Sequence, residues 1–250
     1  MTEYSLSFKP SGDNGILITF GEEISVETHN RIRSFMAFFE DHKEEYQIIE
    51  MIPAYTTILM IYDPLKINYK ELCLKLQKVE GKYKDISKAP REVIQIPVVY
   101  GGSYGPDLES VASHNNLTVE EIIKIHTGGR YLIYMMGFTP GFPYLGGMSE
   151  KIATPRLTVP REKIIAGSVG IAGSQTGIYP IDSPGGWQII GRTPLQLFNP
   201  LREEVTLFKA GQYLSFYSIS EEDFIRISKE VLENTYKVQK TTFKEVEDHD

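Results

Sequence analysis

Two textures of hydrophobic spacing divide this chain. Over the first eighty residues short apolar runs alternate with stretches at helical period. Residues 15–20 (GILITF) read as a strand, and Ser25 then caps a helix in which Ile32, Phe35, Met36 and Phe39 share one face. Residues 47–52 and 56–62 read as two further strands around a turn at Pro53 and Ala54, and residues 69–79 as a second helix. The order strand, helix, strand, strand, helix predicts two helices on one face of a small antiparallel sheet, in the manner of a split βαβ or ferredoxin-like unit. The polar stretch 80–91, with Lys82, Lys84, Asp85, Lys88 and Pro90, marks a linker.

Beyond the linker the spacing changes. Residues 93–99 (VIQIPVV) predict a strand. Thr118 and Glu121 make a capping box inside a Leu117/Ile122 hydrophobic staple, so a helix starts there and runs to about His126. From Tyr131 onward short apolar runs are punctuated by Gly, Pro and Asn at the spacing of a sandwich or barrel. Ser220 with Asp223, flanked by Ile219 and Phe224, repeats the cap and staple and opens a terminal helix through Ile227, Val231 and Leu232. The charged last residues lack apolar periodicity. The chain therefore reads as α+β: an α/β domain over 1–88, a mostly β domain with a terminal helix over 89–235, and a flexible tail over 236–250.

Composition narrows the function classes. With 41% hydrophobic and 24% charged residues the chain can bury a core, and 33 acidic against 26 basic residues leave a net charge of −7. That balance argues against a phosphate-backbone binder, so no nucleic-acid partner is expected. The opening MTEYSLSFKPSGDN has neither a basic nor an apolar leader region, and no apolar run is long enough to span a bilayer, so a cytoplasmic location without a membrane partner is expected. The single cysteine, Cys73, falls on the apolar stripe of the second helix with Tyr69, Leu72, Leu76 and Val79, which predicts an inert, buried thiol.

The candidate chemistry lies in three breaker-rich segments: residues 137–147 (GFTPGFPYLGG), 167–177 (GSVGIAGSQTG) and 183–188 (SPGGWQ). Glycine permits close backbone approach, proline fixes the chain and aromatic rings offer rigid contact faces. These segments therefore predict shaped loops with Phe138, Pro140, Phe142, Pro143, Tyr144, Gly185, Gly186 and Trp187 as contact positions; the alternative is a β domain whose turns simply need such residues. Arg130, Arg156, Arg161 and Arg192 lie in or beside the loops, where a guanidinium fork can hold a carboxylate or phosphate, or else pair locally. Gln175, Thr176, Ser183 and Gln188 could add amide and hydroxyl contacts or satisfy neighbouring backbone. His126 is the histidine near these loops with a pKa suited to proton transfer, although at a helix C-terminus it could equally complement the dipole. His126 and Arg192 are the candidate catalytic groups.

Standard motifs are missing. The sequence has no G-x-x-x-x-G-K-[ST], no G-x-G-x-x-G and no G-x-S-x-G, and its five histidines form no i, i+4 pair and have no nearby cysteine, so no metal site is expected.

The ordered phrases IPVVYGGSYGPDLESVASHNNLT, MMGFTPGFPYLGG, TPRLTVPR and AGSVGIAGSQTGIYPIDSPGGWQIIGRTP resemble the allophanate hydrolase subunit 1 family, which includes the B subunit of 5-oxoprolinase (PxpB) and the kinase inhibitor KipI. The likeness covers the second domain almost end to end and the first more loosely. It implies a cyclophilin-like β-barrel after the ferredoxin-like α/β domain. It also implies a partnership with a C subunit (subunit 2-type, KipA-like) and a separate A subunit, the assembly opening 5-oxoproline to glutamate at the expense of ATP. No catalytic residue comes with the resemblance. With no phosphate-binding loop, ATP would be met at a shared interface, where Arg156, Arg161 and Arg192 could stabilise developing charge. Two other readings are a regulatory module that docks Phe138, Phe142, Tyr144 and Trp187 on a histidine kinase and, on fold alone, a prolyl isomerase.

Overall fold

The computed structural model describes residues 6–79, 91–137 and 139–243, which fall into two compact units, 6–79 and 91–243. The boundary expected at 88–89 lies outside the described residues.

The first unit is a four-stranded antiparallel sheet with helices. Its elements in chain order are β1 (Ser7–Ser11), β2 (Gly15–Thr19), α1 (Val26–Asp41), the single turn α2 (Lys43–Tyr46), β3 (Ile48–Pro53), β4 (Thr57–Tyr62) and α3 (Tyr69–Val79). Ser25 caps α1 by accepting from the Thr28 N–H, as its position predicts. Ile16, Ile18, Ile58 and Met60 of the inner strands bury against Ile32, Phe35 and Phe39 of α1 and Leu72 and Leu76 of α3. Cys73 packs partly buried beside this core, and burial raises its thiol pKa, which keeps the thiol protonated.

The sheet order β1-β2-β4-β3 sets β4 between β2 and β3. It does not establish the expected ferredoxin-like repeat: the outer strand beside β2 is β1, at residues for which the sequence predicts no strand. β1 is mostly exposed, so no buried alternation announces it.

The second unit begins with β5 (Arg91–Tyr100), then α4 (Leu108–His114), α5 (Val119–Gly128), β6 (Tyr131–Met136), β7 (Pro143–Gly146), β8 (Arg161–Ile164), β9 (Ser168–Ala172), β10 (Gln175–Ile178), β11 (Ser183–Gly185), β12 (Gln188–Arg192), β13 (Tyr213–Ser218), α6 (Glu221–Leu232) and β14 (Lys240–Phe243). One sheet runs β10-β9-β12-β5-β13-β6-β7, with β14 also on β5. Its end strands β7 and β10 approach each other, giving a nearly closed barrel. The interior is filled by Ile94, Ile96, Val98, Val169, Ile171, Ile190, Leu214 and Phe216, and by residues of α4 and α5.

The capping box at Thr118 and the Ser220 cap both form. One expectation fails. Residues 240–243, read as part of a flexible tail, form β14, antiparallel to Arg91–Ile94 of β5. Backbone pairing, which needs no apolar periodicity, holds this short polar strand.

Candidate functional site

β8 and β11 form a separate two-stranded ribbon, and beneath it sits a small apolar cluster apart from the barrel interior: Ile164, Tyr179 and Ile189, with Phe142 and Trp187 half-buried against them. The cluster is assembled from several segments. Phe142 is delivered by the β6–β7 connection, where the Gly137 N–H donates to the Phe142 carbonyl at 2.7 Å and Gly141 takes φ +81°. A Cβ at Gly141 would stand 2.9 Å from Cβ of Phe198. Tyr179 follows β10, and Trp187 precedes β12.

The rings of Phe142, Tyr179 and Trp187 meet pairwise at right angles. Phe142 and Tyr179 are 5.8 Å apart at 90°, Phe142 and Trp187 5.9 Å at 84°, and Tyr179 and Trp187 6.2 Å at 81°. Each contact sets a positive ring edge on a negative face, worth about 0.5–1.5 kcal/mol beyond area burial. Three mutually perpendicular planes make a corner. Tyr144 extends it, 5.6 Å from Phe142. The corner depends on missing side chains: a Cβ at Gly177 would lie 2.9 Å from Cζ3 of Trp187, and one at Gly185 would lie 2.4 Å from the Tyr179 hydroxyl.

Charge enters from two arginines. Arg156 is exposed and has no hydrogen bond or ion pair among the described residues. Burial raises the Tyr179 pKa; Arg156, the Trp187 backbone N–H and Arg161 pull it the other way. Arg161 pairs with Asp107 at 2.7 Å and donates to the Trp187 carbonyl at 3.4 Å.

The remaining sequence candidates divide. Pro140 is exposed, Pro143 is buried opposite Met136, Ser183 is half-buried opposite Ile164, and the Gly186 carbonyl accepts from the Leu157 N–H at 2.7 Å. Gln175 is half-buried at the β9–β10 turn. Phe138 lies outside the described residues.

Four candidates are spent elsewhere. Thr176, 1% exposed, and Gln188, 8% exposed, lie in register with Ile171 and face the barrel interior with it. The Gln188 amide donates to the Pro155 carbonyl at 3.1 Å. His126, 0% exposed, stacks on Phe216 inside the core, where burial lowers its pKa to about 3; it reaches no loop ligand, contrary to the proton-transfer expectation. Arg192 donates through Nε to the Ala166 carbonyl at 3.0 Å and lies over the Phe224 ring, so its guanidinium is engaged within the unit. Arg130 precedes β6, roughly 20 Å along that strand from Phe142, and is exposed.

Sequence reasoning missed Tyr179 and Asp107. A signal for Asp107 existed in Pro106-Asp107-Leu108 followed by Val111 and Ala112, a turn opening a short helix. Among the described residues no group of three or more His, Cys, Asp or Glu side chains could hold a metal ion, and no helix is long and apolar enough to cross a membrane.

The carboxyltransferase domain family, subdomains C and D, matches residues 6–208. The chain is 46% identical over 224 residues to the 5-oxoprolinase B subunit of Bacillus subtilis, covering 85% of this chain and 92% of that one. It is 37% identical over 211 residues to the 5-oxoprolinase B subunit of Haemophilus influenzae, covering 84% and 97%. Among solved structures it superimposes on TTHA0988 with a TM-score of 0.70 at 31% identity, over 83% of this chain and 40% of that one, so it spans less than half of that protein.

Proposed function

The chain belongs to the family of 5-oxoprolinase B subunits, and on that footing we propose that it is the B subunit of an ATP-dependent 5-oxoprolinase, acting in the cytoplasm with the A and C subunits. The observation that carries this reading is the 46% identity to the Bacillus subtilis B subunit over most of both chains. On the resemblance drawn from the sequence, the second unit is read as a cyclophilin-like barrel.

The aromatic corner suits the substrate. A five-membered lactam presents apolar ring methylenes to Phe142 and Trp187 and a carboxylate or developing phosphoryl charge to the free Arg156 guanidinium. Amide resonance is overcome by moving the γ-phosphoryl of ATP to the lactam oxygen, releasing ADP. Water then adds to the activated carbon and the ring C–N bond breaks, leaving γ-glutamyl phosphate, which a second water hydrolyses to glutamate and phosphate. Arg156 would stabilise charge on the oxygen that receives the phosphoryl group. Among the described residues one free guanidinium flanks the corner, which favours a site completed by another polypeptide.

Reconstitution tests the reading. The chain is mixed with the A and C subunits, and glutamate release from 5-oxoproline is followed with and without ATP, omitting each polypeptide in turn. Release is expected only with all three and ATP. Equal release when this chain is omitted, or capture of a histidine kinase with no 5-oxoproline turnover, would contradict it.

A further inference from the structure

Behind the aromatic corner lies an arrangement that the reaction outlined above does not use. Asp107 stands at the start of α4, where an aspartate ordinarily caps the helix, yet its side chain makes no capping bond. Its two oxygens are committed to β12 and β8 instead. Oδ2 accepts from the Ile189 backbone N–H at 2.6 Å, and Oδ1 accepts from Nη2 of Arg161 at 2.7 Å. The Asp107 N–H returns a bond to the Ile189 carbonyl at 2.9 Å. Arg161 in turn donates through Nη1 to the Trp187 carbonyl at 3.4 Å. The backbone carbonyl of the sole tryptophan is thus held through Arg161 by Asp107, itself only 8% exposed.

We infer that Asp107 is a positioning residue. It fixes Arg161 and the backbone of residues 187–189 so that the Trp187 indole stands as the third wall of the corner, and it thereby sets the affinity of the site for the lactam ring, a role that rests on the function proposed above. The chemistry of the carboxylate is specific. Both oxygens accept at once, one from a cation and one from a peptide N–H. An asparagine offers one acceptor, so either Arg161 or Ile189 would face an N–H₂ group with nothing to accept its proton. The indole, which meets Phe142 and Tyr179 edge to face, would then lose its fixed backbone.

Two variants test this, Asp107→Asn and Arg161→Lys. Lysine keeps the charge pair with Asp107 but lacks the fork that reaches Trp187 at the same time. Trp187 emission and acrylamide quenching are read on the full chain, where no other tryptophan contributes, and KM and kcat for 5-oxoproline on the complex with the A and C subunits. In Asp107→Asn the emission moves to longer wavelength and the quenching constant rises about twofold or more, KM rises about tenfold and kcat stays within about twofold, the loss expected for a charged hydrogen bond. Arg161→Lys gives the same changes at smaller size, and it carries the test if Asp107→Asn fails to fold. Wild-type quenching in the folded variants overturns the clamp. Altered quenching with wild-type KM overturns its link to the substrate. A wild-type complex with no 5-oxoproline turnover refutes the functional reading and the affinity role with it, while quenching still decides the clamp.

Discussion

The Tyr100 hydroxyl lies 2.7 Å from Nδ1 of His126, and the opposite ring nitrogen, Nε2, lies 2.9 Å from Oγ1 of Thr176. Thr176 spends its own proton on the Gly170 carbonyl at 3.1 Å, so its oxygen accepts from Nε2–H. Nδ1 is then left to accept from Tyr100. The relay fits a neutral imidazole, which agrees with burial lowering the His126 pKa to about 3.

This pair gives the acid limb of stability a direction. In the unfolded chain a histidine titrates near 6.5. The stability contributed by neutral His126 is full above that pH and is lost as the pH falls from about 6.5 toward 3, because the unfolded state takes up a proton that the folded state refuses, at up to about 1.4 kcal/mol per pH unit. His126→Gln keeps a donor and an acceptor and removes the titration. Urea unfolding between about pH 6.5 and 4.5, above most carboxylate titrations, is expected to show a flatter pH dependence in the variant by about that slope. Equal slopes would mean that His126 is not held neutral.

Gly177 is predicted to be intolerant of a single methyl group. An alanine Cβ would meet Cζ3 of Trp187 at 2.9 Å and Cζ of Phe142 at 3.4 Å, so the indole must move. Gly177→Ala should destabilise the second unit by about 1–3 kcal/mol, as overpacking does, and shift Trp187 fluorescence. Thermal unfolding with emission spectra checks both effects, and a wild-type spectrum at wild-type stability would show that the corner is looser than its geometry.

The arginines flanking the loops should separate in kinetics. Arg156→Ala removes the unpaired guanidinium and is expected to lower kcat/KM of the assembled enzyme by about tenfold or more, the scale of a lost charged contact. Arg192→Ala removes a tie to Ala166 and Phe224, so it should lower the melting temperature and leave turnover per folded molecule near wild type. Steady-state kinetics beside calorimetry distinguishes them, and the reverse pattern would reassign the two roles.

How much of this was legible in the sequence depends on whether the signal was local. Helices α1, α3 and α5 carry caps or apolar faces within one turn of each other, and their positions follow from the spacing of Phe35 and Phe39, Leu72 and Leu76, and Thr118 and Glu121. β1 and β14 are short and mostly exposed, so their pairing partners, not their own residues, define them. The glycine, proline and ring pattern marked Phe142 and Trp187, two rings that the fold brings into contact. It could not point at Asp107, whose partners are 54 and 82 positions away. Nor could it tell that Thr176 and Gln188 turn inward, since alternation along a strand leaves open which set of residues faces the barrel. A register shift between Ile189 and Gly191 makes that inference harder still on β12.

If the corner of Phe142, Tyr179 and Trp187 is a face that another polypeptide completes, the surroundings of Trp187 must change on assembly. Because the chain has one tryptophan, incorporating 5-fluorotryptophan places a single fluorine label at that position. Its ¹⁹F resonance is recorded before and after addition of the unlabelled C subunit, with complex formation followed by size-exclusion chromatography. The resonance is expected to shift as the complex forms and to shift again when 5-oxoproline is added with the A subunit and ATP. An unchanged resonance in a fully formed complex would contradict a completed face.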